Sequence, residues 1–204
     1  MAKAKSVFFC QNCGAESSKW MGRCPQCGEW NTLVEEIIKE TKHSRTPSRG
    51  VGNQSTKPTA LPDIEISSIA RVSTTFGEID RVLGGGIVPG ALMLLGGDPG
   101  IGKSTLLLQV SQKVAVTVGA VLYASGEESQ LQLKLRAERL HINSERLQVI
   151  ADTDLDHILE QADAMTPSLL VIDSIQTMYT GDIDAAPGSV SQVRECTSRL
   201  LRFC

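Results

Sequence analysis

Aromatic side chains are scarce: two Trp, two Tyr and four Phe make up 4% of the chain. That scarcity argues against a single-strand binder built mainly on stacking platforms. Long apolar runs are missing too, and none approaches the roughly 18 residues that span a bilayer. The start, Met1-Ala-Lys-Ala-Lys5, lacks the apolar centre of a secretory signal. These absences argue against membrane and secreted classes. Excess charge is also lacking, with 20 basic against 23 acidic residues for a net −3. The balance is uneven along the chain, however. Residues 1–57 hold 9 basic and 5 acidic side chains and the remainder 11 and 18, so a positive front precedes an acidic body. Such a front suits either an anionic partner or a solubilising tail.

Cysteine is sparse but concentrated. Four of the six lie in Cys10-Gln-Asn-Cys13 and Cys24-Pro-Gln-Cys27, separated by ten residues. Two residues between cysteines let one tight turn present both sulfurs to a single ion, and two such turns complete a tetrahedral thiolate shell suited to Zn2+. Gly14 and Gly28 follow the pairs and allow the chain to fold back under the sulfurs. Without a secretion signal, structural disulfides are disfavoured, and a redox pair would need one such motif, not two in tandem. Protein fills all four positions, so the expected site is structural, and metal binding supplies the folding energy that so small an apolar core cannot. Trp20 and Trp30 suit either a cap on this ribbon or a face toward a partner, and capping is the preferred reading. Cys196 and Cys204 have no metal-ligand spacing and read as ordinary thiols.

The spacing predicts three regions: a four-cysteine zinc ribbon over 1–36, a flexible linker over 37–63 and an α/β core over 64–204. The linker is rich in Lys, Thr, Ser, Arg, Gly, Asn and Pro and cannot bury enough surface to offset its ordering entropy. His43 stands alone in it and reads as a surface residue.

In the core, Ala91-Leu-Met-Leu-Leu95 is an apolar run bounded by glycines, which predicts a strand buried on both faces of a parallel sheet. Gly97-Asp98-Pro99-Gly100-Ile101-Gly102-Lys103-Ser104 follows, matching G-x-x-x-x-G-K-[ST], and Thr105 continues into a helix. The strand before and helix after are the context that gives this pattern meaning. The glycines let successive backbone N–H groups face the phosphates of a nucleotide, with the helix N-terminus adding its dipole. Lys103 is placed to reach the β and γ phosphates, and the Ser104 hydroxyl to coordinate Mg2+.

Ser168-Leu-Leu-Val-Ile-Asp173 predicts a second buried strand ending in an acid beside that loop, and Asp173 would hold Mg2+ through water or Ser104. Between the two motifs, Ala120-Val-Leu-Tyr-Ala124 predicts a third strand, followed by Ser125-Gly-Glu127-Glu128-Ser129. A carboxylate just past a strand end can orient an attacking water. Glu127 is the first candidate for that role and Glu128 the alternative, with both as helix-start charges a further reading.

Together, the ribbon, the lead-in Phe76-Gly-Glu-Ile-Asp80-Arg-Val-Leu-Gly84-Gly-Gly, the Gly97–Ser104 loop, the Ser125–Ser129 turn and Leu169–Ser174 carry a resemblance across essentially the whole chain. It resembles the bacterial RadA (Sms) family of RecA-like recombination and repair ATPases, in its N-terminal part. The resemblance implies a RecA-like fold, and it places Glu127 at the water-activating glutamate of RecA-like ATPases. It gives Arg136 no role. It further implies ATP as nucleotide, single-stranded DNA and recombination intermediates as partners, branch migration, ring-shaped homo-oligomers, a recombinase or helicase partner and a bacterial cytoplasmic setting. Gln176–Gly188, with Tyr179, resembles a DNA-facing loop, although Asp182 and Asp184 would repel phosphate and equally suit a plain surface loop. The family continues past this core through a Lys-Asn-Arg-Phe-Gly motif and a Lon-protease-like domain. Neither lies in the 204 residues, so the core is expected to be incomplete, with an unpaired apolar sheet edge. Two rival readings remain: a helicase-type or signalling ATPase whose ribbon binds protein, and a nucleotide switch without turnover.

Overall fold

The structure, a computed structural model, describes residues 5–38, 60–63 and 70–204. His43, most of the expected linker and the expected start of the core near Ile64 lie outside the described residues.

The front of the chain forms β1 (Lys5–Cys10), β2 (Glu16–Ser17) and β3 (Leu33–Ile38), with β1 antiparallel to both others. Each cysteine pair sits on a tight turn: Gly14 N–H donates to the Cys10 carbonyl at 2.8 Å and Gly28 N–H to that of Cys24 at 3.0 Å. Cys10, Cys24 and Leu33 form the buried centre, backed by Phe8, Ala15, Met21 and Cys27. Cys10 and Cys24 are thus part of the core itself, as expected where little apolar surface is available. Trp20 and Trp30 depart from the preferred capping reading. They are 58% and 67% exposed and flank Gly22, with the Arg23 guanidinium 5.8 Å from the Trp30 ring centroid. Cys10, Cys24 and Leu33 fill the ribbon core without an indole lid, so the rings face solvent.

A short helix, α1 (Gly77–Val82), opens the second region. Asp80 organises its approach by accepting from Thr74 N–H at 2.8 Å, Thr74 Oγ1 at 2.6 Å and Ser73 Oγ at 2.6 Å. At Gly86 a Cβ would sit 2.5 Å from the Val72 carbonyl oxygen, so the glycine-rich lead-in permits the Val72–Ile87 bridge.

The rest alternates helix and strand: α2 (Lys103–Thr117), β4 (Val121–Ser125), α3 (Gln130–Arg139), β5 (Leu147–Ala151), α4 (Leu155–Met165) and β6 (Leu169–Asp173), then β7 (Ile183–Asp184) and α5 (Val190–Phe203). The strands β5, β4 and β6 form a parallel sheet in that order, with β4 central and buried throughout. Alternation along β4 divides the core into two faces. Tyr123 packs with Leu108 of α2, Leu133 of α3 and Val171 on one face. Ala124 packs with Leu155 and Ile158 of α4 and Cys196 and Leu200 of α5 on the other. Helices therefore cover both faces, the expected α/β arrangement. No helix among the described residues is long and apolar enough to cross a membrane.

The Ala91–Leu95 segment corrects the expectation. It pairs into neither sheet, and Leu92, Met93, Leu94 and Leu95 are all exposed, Leu94 by 88%. An apolar strand is buried only where other strands flank it, and among the described residues none pairs with β6 on the side away from β4.

The ribbon is seated on the core. Through β7, its sheet gains a fourth strand, with Ile37 opposite Asp184 and Ile38 opposite Ile183. Arg194 of α5 lies 3.4 Å from Glu16, and a Cβ at Gly14 would meet Val190 Cγ1 at 2.9 Å. Buried Gln192 holds the same loop: its Oε1 accepts from Thr180 N–H at 3.0 Å, and its Nε2 donates to the carbonyls of Ile183 and Ala185 at 3.0 and 3.1 Å. Asp182, read from sequence as an acid that would repel phosphate, is ion-paired with Arg199, which also binds Asp156 and Glu195.

Candidate functional site

The four ribbon sulfurs form one cluster. All lie within 4.8 Å of one another, with Cys10 Sγ 3.6 Å from Cys27 Sγ and Cys13 Sγ 3.6 Å from Cys24 Sγ. Tetrahedral Zn2+ with bonds of about 2.3 Å separates its sulfurs by roughly 3.8 Å, so the cluster has the dimensions of a zinc shell. The Thr32 hydroxyl, 3.2 Å from Cys10 Sγ, is the main cause that draws the Cys10 thiol down to about 6, whereas the neighbouring thiols help to raise that of Cys13. Four protein ligands leave no coordination position for substrate, so the site's chemistry is structural.

The Gly97–Thr105 segment runs into α2 with Gly102 at the helix N-cap. Gly100 and Gly102 take φ values of +80° and +102°, which side chains disfavour, and a Cβ at either would meet no atom within 4 Å. The loop thus presents bare backbone toward open space. Lys103 Nζ bridges it, donating to the carbonyls of Gly97 at 2.7 Å and Asp98 at 2.8 Å. A loop of bare amides, an ammonium and a helix N-terminus offers a fitting cradle for a polyphosphate.

At the C-terminal edge of the sheet, Ser125 of β4 pairs in register with Asp173 of β6. Tyr123 Oη donates to Asp173 Oδ2 at 2.6 Å. Burial first, and then the Asp173 carboxylate, push the Tyr123 hydroxyl well above the usual phenol range, so it stays a donor. The Asp173–Ser174 peptide bond is cis. Directly beyond it, Ser174 Oγ donates to Glu127 Oε1 at 2.6 Å and Gln176 Nε2 to the same oxygen at 3.1 Å. Asp173 and Glu127 are thereby drawn to one edge of the sheet, linked also by Gly126 N–H donating to the Asp173 carbonyl at 2.9 Å.

Glu128 points elsewhere. Its Oε1 is ion-paired with Arg136 of α3, and its Oε2 is buried without a partner. Neither glutamate lies in the first turn of α3. Ser129 caps that helix by accepting from Gln132 N–H at 3.3 Å, while Gln132 Oε1 accepts from Ser129 N–H at 2.8 Å.

Sequence reasoning picked out both acids but not the neutral donors Tyr123, Ser174 and Gln176 that orient them. The signal for Tyr123 was present: it is the one residue with a polar tip between Val121 and Ala124 in an otherwise aliphatic strand. A buried phenol hydroxyl needs a partner. Ser174 and Gln176 gave no such signal, because their contact with Glu127 spans 47 and 49 positions.

Comparison with known proteins finds similarity in both regions of the chain. Residues 56–204 match the AAA domain family, and residues 8–35 match the rubredoxin metal binding domain. The DNA repair protein RadA of Bacillus subtilis (strain 168) is 56% identical over 204 residues, covering 100% of this chain and 44% of its own length. Those of Listeria monocytogenes and Halalkalibacterium halodurans are 53% and 50% identical, again over 100% of this chain and 44% of theirs. The chain therefore spans less than half the length of these relatives. Among solved structures, the flagellar accessory protein FlaH of Methanocaldococcus jannaschii aligns with 65% of this chain and 66% of its own at a TM-score of 0.49 and 20% identity. A phosphate-loop core whose match covers most of the sequence, behind a four-cysteine ribbon, makes this chain a member of the AAA domain family, and along its whole length it resembles the RadA DNA repair proteins.

Proposed function

We propose that this chain carries the nucleotide-hydrolysing site of a DNA-dependent ATPase of recombinational repair, of which the described core is one part. The observation that carries the reading is the convergence of Asp173 and Glu127 on one sheet edge, each fixed by neutral donors, in a core whose α2 begins at the phosphate loop. The relatives' printed function, DNA repair, supports it.

In this reading, backbone amides from Gly97 to Thr105 hold the ATP phosphates. Lys103 leaves the carbonyls of Gly97 and Asp98 to balance charge on the transferred phosphoryl group. Ser104 and Asp173 hold Mg2+, which when bound neutralises phosphate charge. Glu127 orients the attacking water: Ser174 and Gln176 occupy Oε1, so Oε2 is the oxygen left to accept the water's proton. Glu128 is a structural partner of Arg136. The four-cysteine ribbon holds Zn2+; in sequence it is joined to the core by the segment that follows β3, and it is seated on the core through β7. The proposed partners are single-stranded DNA and recombination intermediates in the bacterial cytoplasm, a ring of identical subunits, and a recombinase or helicase.

The test is ATP hydrolysis by protein of the relatives' full length, with and without single-stranded DNA, beside Lys103→Ala. DNA-stimulated turnover that Lys103→Ala abolishes is the expected result. Nucleotide binding without turnover would replace the reading with that of a switch, and absence of Mg-ATP binding would remove the nucleotide site altogether.

A further inference from the structure

Tyr123 lies at the centre of the core yet bears on its most polar point. Its residue is fully buried, packed against Leu108 of α2, Leu133 of α3, Ile142 and Val171. Its ring therefore lies between the helix that the phosphate loop opens and the strand that ends in Asp173. From there the phenol reaches along the sheet to the edge, 2.6 Å from Asp173 Oδ2. A smaller or purely apolar residue would fill the same core without making that contact.

The chemistry of the donor matters. A lysine or arginine at this place would neutralise the carboxylate and compete with a cation for it. A neutral hydroxyl fixes the carboxylate's rotation and leaves its charge intact, and by taking Oδ2 it leaves Oδ1 for a metal. Residues that hold a metal ligand in this manner commonly govern affinity as strongly as the ligands themselves. The aliphatic packing on both sides of the ring holds the hydroxyl in one place, so the orientation is built in before any ligand arrives.

We propose that Tyr123 is a positioning residue for the divalent-cation carboxylate, setting the affinity of the nucleotide site for its metal through the Tyr123 Oη to Asp173 Oδ2 hydrogen bond. The inference rests on the reading of Asp173 as a cation ligand. It also links two parts of the site: a shift of α2 against the sheet on nucleotide binding would move the ring, and with it the carboxylate.

The test uses Tyr123→Phe, which removes one oxygen and keeps the ring, in the full-length protein. Mn2+ binding in the presence of ADP is followed by electron paramagnetic resonance, ADP binding is measured separately in chelator, and ATP turnover is titrated against Mg2+. The expected result is Mn2+ affinity about tenfold lower, ADP binding in chelator unchanged, and turnover recovered at high Mg2+. A merely structural role would lower turnover at every Mg2+ concentration. Asp173→Asn separates the two levels of the argument. If it weakens Mn2+ binding while Tyr123→Phe leaves it within twofold, the positioning role is overturned and the cation reading stands. If Asp173→Asn also leaves Mn2+ binding unchanged, both fall. Should Tyr123→Phe not fold, 3-fluorotyrosine placed at position 123 alone gives a second readout. Its fluorine resonance should shift when Mg2+ joins bound ADP, and an unmoved resonance overturns the proposal.

Discussion

Ser174 Oγ donates to Glu127 Oε1 at 2.6 Å, joining the residue just past β6 to the turn just past β4. Gln176 Nε2 adds a second donor to the same oxygen at 3.1 Å. The carboxylate is thus aimed by the neighbouring strand's exit and not by its own turn. Removing the carboxylate with Glu127→Gln should lower turnover by about a hundredfold or more, the usual range for a lost general base. Ser174→Ala and Gln176→Ala, which leave the base but free its rotation, should each cost less, and the double variant more than either. Single-turnover hydrolysis measures all four. Equal losses in Glu127→Gln and Ser174→Ala would show that Ser174 acts on something besides Glu127.

Gly126 carries the close approach that makes this contact. A Cβ there would lie 2.1 Å from Thr177 Oγ1 and 2.8 Å from Thr177 Cβ, too near for either to remain in place. Gly126→Ala should destabilise the fold by about 1–3 kcal/mol through overpacking and separate Glu127 from Ser174. The urea midpoint reports the first effect and turnover the second. A variant of normal stability and activity would mean the turn relaxes freely.

Metal removal should act locally. Both tryptophans of the chain, Trp20 and Trp30, lie in the ribbon, so their fluorescence reports that unit alone. Strong chelation should change the emission and release the four clustered thiols, while amide protection in β4, β5 and β6 persists. Thiol titration gives the count: exposed Cys204 should react before chelation, and Cys10, Cys13, Cys24 and Cys27 after it. Cys196, buried and with its thiol pushed up to about 11 chiefly by that burial, should stay silent until the core unfolds.

A pH-dependent pair closes the other end of the sheet edge. His157 Nδ1 lies 2.5 Å from Asp152 Oδ2, and this hydrogen bond is the main cause that raises the imidazole above its usual value. While Asp152, itself held below the usual carboxylate range, stays ionised, the pair's contribution to stability is full below the unfolded histidine value of about 6.5 and is lost as pH rises through the raised folded value. A proton NMR titration should place the His157 midpoint above 6.5, and Asp152→Asn should return it toward that value.

Features whose physics is local were legible in the sequence. The cysteine turns, the glycine-rich loop before α2, the strand ending in Asp173 and the Ser125–Ser129 turn each stand where spacing and apolar runs put them, because each depends on its own few residues. Features that depend on what lies opposite were not. Ala91–Leu95 has the composition of a buried strand, but burial needs neighbours, and the sheet order supplies none. Trp20 and Trp30 looked like a lid because indoles usually bury, whereas the thiol cluster and Leu33 already fill that small core. The donors on Glu127 and Asp173 reach across strand register, which no single stretch of sequence displays.

The two-residue pairing of β3 with β7 gives the molecule a mechanical character of its own. Such a seam contains few hydrogen bonds, and its companion ion pair, Glu16 with Arg194, is solvent-exposed on both sides. The ribbon is therefore latched to the segment between Gln176 and α5 and not welded to it. Whatever tugs at that segment also tugs at the ribbon, and whatever grips the ribbon gains a handle on the stretch of chain leading back to Glu127.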